Sequence, residues 1–144
     1  MTGYRALKIQ VPMVREAQGP RICTARAVAE YCRDLEGLAQ ECFLVLSLNQ
    51  KHQVIARRMV SLGSLTGAIV HPREVFRLAL LDAAAAVIFV HNHPSSNPLP
   101  SKDDIELTAR LVEAAKLLGL RVVDHVIVGR ADEFFSFESE GLLA

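Results

Sequence analysis

Ala85-Ala86-Val87-Ile88-Phe89-Val90-His91-Asn92-His93-Pro94 is the stretch whose reading decides the fold. Residues 85–91 are an apolar run of strand length and predict a buried strand. Side chains two apart on an extended chain point to the same side. His91 and His93 therefore converge where that strand ends. The residues that follow mix Pro98 and Pro100 with Ser95, Ser96 and Asn97, which is loop composition. Ser101-Lys102-Asp103-Asp104 then opens a helical pattern, with Ile105, Thr108, Leu111, Val112, Ala115 and Leu118 on one face. Strand end, loop and helix start can meet at one point.

What meets there reads H-x-H-x7-S-x2-D: two imidazoles and one carboxylate. Three protein ligands with a fourth position open is the plan of a catalytic zinc site, whereas a structural site is closed by four. Plainer readings compete with this. Ser101-x-x-Asp104, taken alone, is a helix cap sooner than a catalytic pair, although a capping box usually ends in Glu or Gln. A lone histidine in an apolar segment is more often a hydrogen-bonded core residue than a ligand. Two histidines at i and i+2, a proline-rich loop and an acid at a helix start are harder to explain as independent accidents. The two readings of Ser101 also coexist, because its hydroxyl can cap the helix and still lie beside a metal.

The pattern resembles the JAMM (MPN+) metalloprotease motif, and the chain around it resembles the RadC family's JAB domain. The resemblance runs from about Thr24 to Leu142. It is carried by Glu41-Cys42-Phe43-Leu44-Val45-Leu46, Gly63-Ser64-Leu65, His71-Pro72-Arg73-Glu74-Val75, His91-Asn92-His93-Pro94-Ser95, Pro100-Ser101, Asp104 and Asp124-His125. The resemblance implies that His91, His93 and Asp104 bind Zn2+. It implies that Ser101 steadies a developing oxyanion and that Glu41 takes the proton of a zinc-bound water attacking an amide carbonyl. Ser96 stands where the family usually has Gly, and Leu48-Asn49 stands where it usually has Leu-Asp. Neither touches an expected ligand, but Ser96 bears on the loop's backbone angles, since Gly alone enters some turns freely. Full-length relatives carry a helix-hairpin-helix-like segment ahead of this domain. Only about twenty residues precede the first predicted helix here, so the chain resembles short or truncated members.

Other acids rival Glu41 as the base. Glu74 follows Pro72 in a predicted first helical turn, where the helix dipole alone accounts for an acid. Glu106 and Asp103 read as solvated or helix-start charges.

Outward from the motif, residues 5–14 read as a short edge strand and 24–38 as a helix with Thr24 as its cap and Gly37 near its end. Residues 42–48 and 54–60 read as a hairpin about the turn 49–52. Residues 72–83 read as a helix with Pro72 at its start. Residues 120–128 read as a buried strand after Gly119, and 134–137 as a last edge strand. Strands alternating with helices predict an α/β class, one domain over residues 1–144 with a mixed sheet flanked by helices. The resemblance implies that this is a JAB/MPN domain in the cytidine-deaminase-like layer arrangement. Deaminase chemistry itself is excluded, because H-x-E and P-C-x-x-C are both absent.

The chain has 144 residues, 51% of them hydrophobic and 22% charged. A domain of this size buries roughly 68–70% of its unfolded surface and needs no staples. Zero net charge argues against tight non-specific nucleic-acid binding. Arg57 and Arg58 read as a solvated face, and Arg73, Arg77, Arg110 and Arg121 as scattered charges. Cys23, Cys32 and Cys42 have no C-x-x-C spacing and read as reduced, buried thiols of a cytoplasmic protein. The apolar stretch 78–90 carries Asp82 and is too short to span a bilayer, so no membrane partner is expected.

His52 reads as an exposed turn residue and His71 as a helix cap. His125 reads as half of a buried pair with Asp124 sooner than as a support beside the metal. The leading function is a zinc-dependent hydrolase of amide bonds acting on a peptide or protein. The alternative is a non-enzymatic or DNA-repair-associated accessory module. A homo-oligomer is compatible with either.

Overall fold

The computed structural model of the chain describes Gly3, residues 16–63 and residues 70–143. The edge strand expected at 5–14 lies outside those residues, as do Ser64 and Leu65. Helix α1 (Ala25–Tyr31) leads into the hairpin β1 (Cys42–Leu48) and β2 (Val54–Leu62). Helix α2 (Pro72–Leu81), β3 (Ala86–Asn92), α3 (Lys102–Leu118), β4 (Arg121–Val128) and β5 (Phe134–Ser136) follow. The strands form one sheet in the order β2-β1-β3-β4-β5. β1 is antiparallel to both β2 and β3, β3 is parallel to β4, and β4 is antiparallel to β5. This is a single-domain α/β fold with a mixed sheet flanked by helices, as the alternation of elements predicts.

The central strands are apolar along their length because helices cover both faces of the sheet. All seven residues of β1 and all seven of β3 are buried. Leu44, Leu46 and Leu48 face α1 together with Ile88 and Val90. Phe43 and Val45 face α2 and α3 together with Val87 and Phe89. Alternation along one strand thus feeds two separate cores. β2 lies at the sheet's edge and is only half-buried, with Met59 and Leu62 exposed.

Three local expectations need correction. The helix expected over 24–38 stops at Tyr31 and tightens into a 3-10 turn at Arg33–Leu35. That turn carries Leu35 into the core and brings Asp34 to Arg57 on β2 at 2.8 Å. Tertiary contacts there outweigh the helical pattern. The apolar face of α3 is shorter than its pattern: Thr108, Leu111, Val112 and Ala115 are buried, but Ile105 and Leu118 are exposed. Arg57 and Arg58 are paired instead of merely solvated. Arg58 Nε donates at 3.1 Å to Asp82, which is buried and also accepts from Ser47 Oγ at 2.9 Å.

The caps agree with the sequence. Thr24 Oγ1 accepts from the Ala27 amide, Pro72 occupies the first turn of α2, and Gly119 ends α3 in the left-handed region at φ 73°. His71 occupies the N-cap position of α2 without a side-chain cap bond. Cys32 and Cys42 are buried, but Cys23 is exposed, so only two of the three thiols lie in the interior. Burial pushes the Cys32 thiol up to about 12. Among the described residues, no helix is long and apolar enough to cross a membrane.

Candidate metal centre

β3 ends between β1 and β4, and α3 begins beside that end. His91 faces the α2–α3 side in line with Val87 and Phe89, and is 1% exposed. His93 lies just past the strand, and its Nε2 is 3.1 Å from His91 Nε2. The loop from Pro94 to Pro100 returns to α3, where Ser101 and Asp104 form a complete capping box. Ser101 Oγ accepts from the Asp104 amide at 3.1 Å, and the Ser101 amide donates to Asp104 Oδ2 at 2.9 Å. The same Oδ2 lies 2.9 Å from His93 Nε2, and Oδ1 lies 3.4 Å from His91 Nε2. Ser101 and Asp104 thus cap the helix, and the capping bonds aim the Asp104 carboxylate at the two rings.

Glu41 joins them from the residue before β1, with Oε1 3.8 Å from His91 Nε2. One donor atom from each of Glu41, His91, His93 and Asp104 falls within 4.8 Å of the others, and the four form a group able to hold a metal ion. The rival acids lie elsewhere. Glu74 contacts Arg73 and Arg77, and Glu106 faces Lys102, all at the surface. Asp103 lines the outer part of a cleft of about 670 Å³ that opens over the group, together with Leu99, Leu107 and Arg110.

Burial alone would raise the Asp104 carboxyl, but its contacts with His91 and His93 outweigh that and hold it well below the usual carboxylate range. Asp104 in turn raises His93, against the opposing effect of burial. His125 is fully buried, and burial together with the neighbouring His91 holds it well below the ordinary imidazole value.

Asn92 and Thr108 escaped the reading of the sequence, and His125 takes the place that reading ranked second. Asn92 is the residue between the two histidines and points to the opposite face of the sheet. Its Oδ1 accepts from the Cys42 amide at 2.8 Å and its Nδ2 donates to the Gln40 carbonyl at 3.0 Å. It therefore grips the backbone on both sides of Glu41. His125 does not pair through its ring with Asp124, whose carboxylate accepts instead from the His125 and Glu138 amides and from Ser136 Oγ. The His125 ring touches His91: Nε2 lies 2.7 Å from His91 Nδ1, and Nδ1 lies 2.6 Å from Thr108 Oγ1. Thr108 completes the set, and the available signal was a lone hydroxyl in the apolar stripe of α3. Ser96, expected to bear on the loop's angles, occupies the left-handed region at φ 64°, where Gly would sit without strain.

A central mixed sheet with this group at the end of β3 defines a JAB-type domain carrying a candidate metal centre. Residues 22–142 match the family described as RadC-like JAB domain. The chain belongs to the RadC family. It is 50% identical over 110 residues to a UPF0758 protein of Desulforamulus reducens, covering 76% of this chain and 48% of that protein. It is 44% identical over 139 residues to a UPF0758 protein of Bacillus cereus (strain AH187), covering 96% of this chain and 60% of the relative. A third, from Pelobacter propionicus, is 48% identical over 124 residues, covering 85% and 54%. The chain thus spans about half the length of the relatives it matches.

Proposed function

We propose that the chain is a zinc-dependent hydrolase of amide bonds, a metallopeptidase or isopeptidase of JAMM type acting on a peptide or protein. One observation carries this reading. His93 Nδ1 lies 2.7 Å from the Asn97 carbonyl, which can only accept, so the ring's hydrogen is on Nδ1. His93 Nε2 faces His91 Nε2 and the Asp104 carboxylate at 3.1 Å and 2.9 Å. A cation bound there would take the place of the proton that Asp104 favours on His93, with Nε2 as the donor atom. Four donors set tetrahedrally at zinc's usual bond lengths of about 2.0–2.1 Å lie roughly 3.3 Å from one another. The separations of His93 Nε2 from His91 Nε2, 3.1 Å, and from Asp104 Oδ2, 2.9 Å, are close to that edge.

Zinc held there supplies a Lewis acid and brings the pKa of a water ligand to about 7. Glu41, set slightly farther off than the other three, is placed to accept a proton and hand it to a leaving amine. Ser101 Oγ accepts from the Asp104 amide, which leaves its own O–H to donate to an oxygen gaining negative charge. The open cleft beside them has room for an extended peptide segment.

Metal content of the wild type and of Asp104→Ala, measured by mass spectrometry, tests the centre. The expected result is about one zinc per wild-type chain and loss of that zinc in the variant. Glu41→Gln should keep the zinc and lose peptide hydrolysis; loss of zinc instead would make Glu41 a fourth ligand of a closed site. A wild type that takes up no zinc on reconstitution would sink the reading. The DNA-associated accessory module would then be tested by a salt-dependent mobility shift on DNA.

A further inference from the structure

Behind His91 lies a chain of hydrogen bonds with no exposed member. Thr108 Oγ1 is 2.7 Å from the Asp104 carbonyl, four residues earlier on α3. Such a bond within a helix is common for threonine; a second short contact from the same hydroxyl is not. That second contact is His125 Nδ1 at 2.6 Å, and His125 Nε2 is in turn 2.7 Å from His91 Nδ1. Thr108 and His125 are 0% exposed and His91 is 1% exposed, so no solvent satisfies these atoms. A carbonyl only accepts, and a hydroxyl has one hydrogen. The Thr108 hydrogen therefore goes to the Asp104 carbonyl, and Thr108 Oγ1 accepts from His125 Nδ1–H. A neutral His125 then has its lone pair on Nε2, which accepts from His91 Nδ1–H. His91 is left with its lone pair on Nε2, the atom that faces His93, Asp104 and Glu41. With both rings neutral, it is the only assignment that makes all three short contacts hydrogen bonds.

The His125 ring has little freedom to do otherwise. It stacks on Phe137 at 4.6 Å between centroids and meets the edges of Phe43 and Phe89 at 5.6 Å and 5.8 Å. The Thr108 hydroxyl also touches the helical turn that carries Asp104. Thr108 and His125 together thus link Asp104 on α3 to His91 on β3.

We propose that Thr108 and His125 are positioning residues that hold His91 with its hydrogen on Nδ1, and thereby set the affinity of the centre for its metal. The inference rests on the metal-centre reading and adds to it the control of one donor atom. Outer partners of metal-bound histidines typically change affinity by about 10–100-fold.

The test compares wild type, Thr108→Val, Thr108→Ser and His125→Phe. Zinc affinity is measured by chelator competition. The hydrogen position on His91 is measured by long-range 15N–1H correlation of the metal-free protein at mildly alkaline pH. Thr108→Val, which keeps the volume and loses the hydroxyl, should weaken zinc binding about 10–100-fold and deplete the His91 Nδ1–H form. His125→Phe should do the same, and Thr108→Ser should restore both readouts. Amide spectra and urea unfolding confirm that each variant is folded; should His125→Phe fail there, the Thr108 pair decides the matter. Zinc bound by Thr108→Val as tightly as by wild type, or a wild-type His91 with its hydrogen on Nε2, overturns the proposal while leaving the metal centre standing. A wild type that binds no zinc overturns both, and the NMR result then records the hydrogen-bond chain without a metal to serve.

Discussion

Three adjacent residues at the end of β3 divide the labour of the site between two faces of the sheet. His91 and His93 present ring nitrogens to the α3 side, while Asn92 fastens the approach to β1. Asn92 is 2% exposed, and its amide satisfies the amide of buried Cys42 and the carbonyl of exposed Gln40. Asn92→Ala leaves the Cys42 amide without this partner, which costs about 1–3 kcal/mol for a group kept from water. Urea unfolding should show a loss of that order, while metal uptake stays at the wild-type level because none of Glu41, His91, His93 and Asp104 has changed. The histidines and Asp104 were legible as a group because their spacing combines strand and helix periodicities. Asn92 was not, because nothing in a sequence says what an inward-facing amide will meet across a sheet.

At the scale of elements, the early end of α1 is the clearest departure from pattern. The periodicity of residues 24–38 is helical, but the chain tightens at Arg33–Leu35 and turns Asp34 toward the edge strand. Hydrogen bonds from Arg57 hold the Asp34 carboxyl below its ordinary value, against a smaller opposing effect of burial. A depressed folded pKa stabilises the protein above the unfolded value of 3.8, and that contribution disappears as pH falls through the folded value. The Asp34 side chain is 60% exposed, so the pair contributes at most about 1 kcal/mol and less in high salt. Thermal unfolding should find Asp34→Asn less stable than wild type at neutral pH by up to that amount. The two melting curves should converge on acidification below the ordinary carboxylate range. A difference that persists in acid would show that the pair is not its source.

Across the whole molecule, the sheet is tied to its α2 layer by a charge buried where α2 ends. Asp82 receives Arg58 from the edge strand β2 and Ser47 from β1, joining three elements at one carboxylate. Arg58→Met keeps much of the stem but removes a charge-assisted bond, which is worth roughly 1.5–3 kcal/mol. A denaturant midpoint lowered to match, with an unchanged denaturant slope, is the expected outcome; no change would mean that Ser47 and the surrounding chain satisfy Asp82 unaided. The pairing of Arg58 was hidden from the sequence because Asp82 is 24 residues away, at the far end of the next element.

The order of elements, the buried central strands, the hairpin, the caps of α1 and α3 and the convergence of His91, His93 and Asp104 were all set within stretches of about twenty residues. Local periodicity and turn chemistry are enough at that range. Which further carboxylate stands by the two histidines and which groups stand behind them were decided by tertiary structure. Antiparallel pairing of β1 with β3 brings Phe43 opposite His91 and so delivers Glu41. Parallel pairing of β3 with β4 sets His125 beside the strand that bears His91, and α3 lays Thr108 over it. Those neighbours lie 17 to 50 residues apart in the chain. Their hydrogen bonds exist only once strand register has chosen which buried polar groups must satisfy one another.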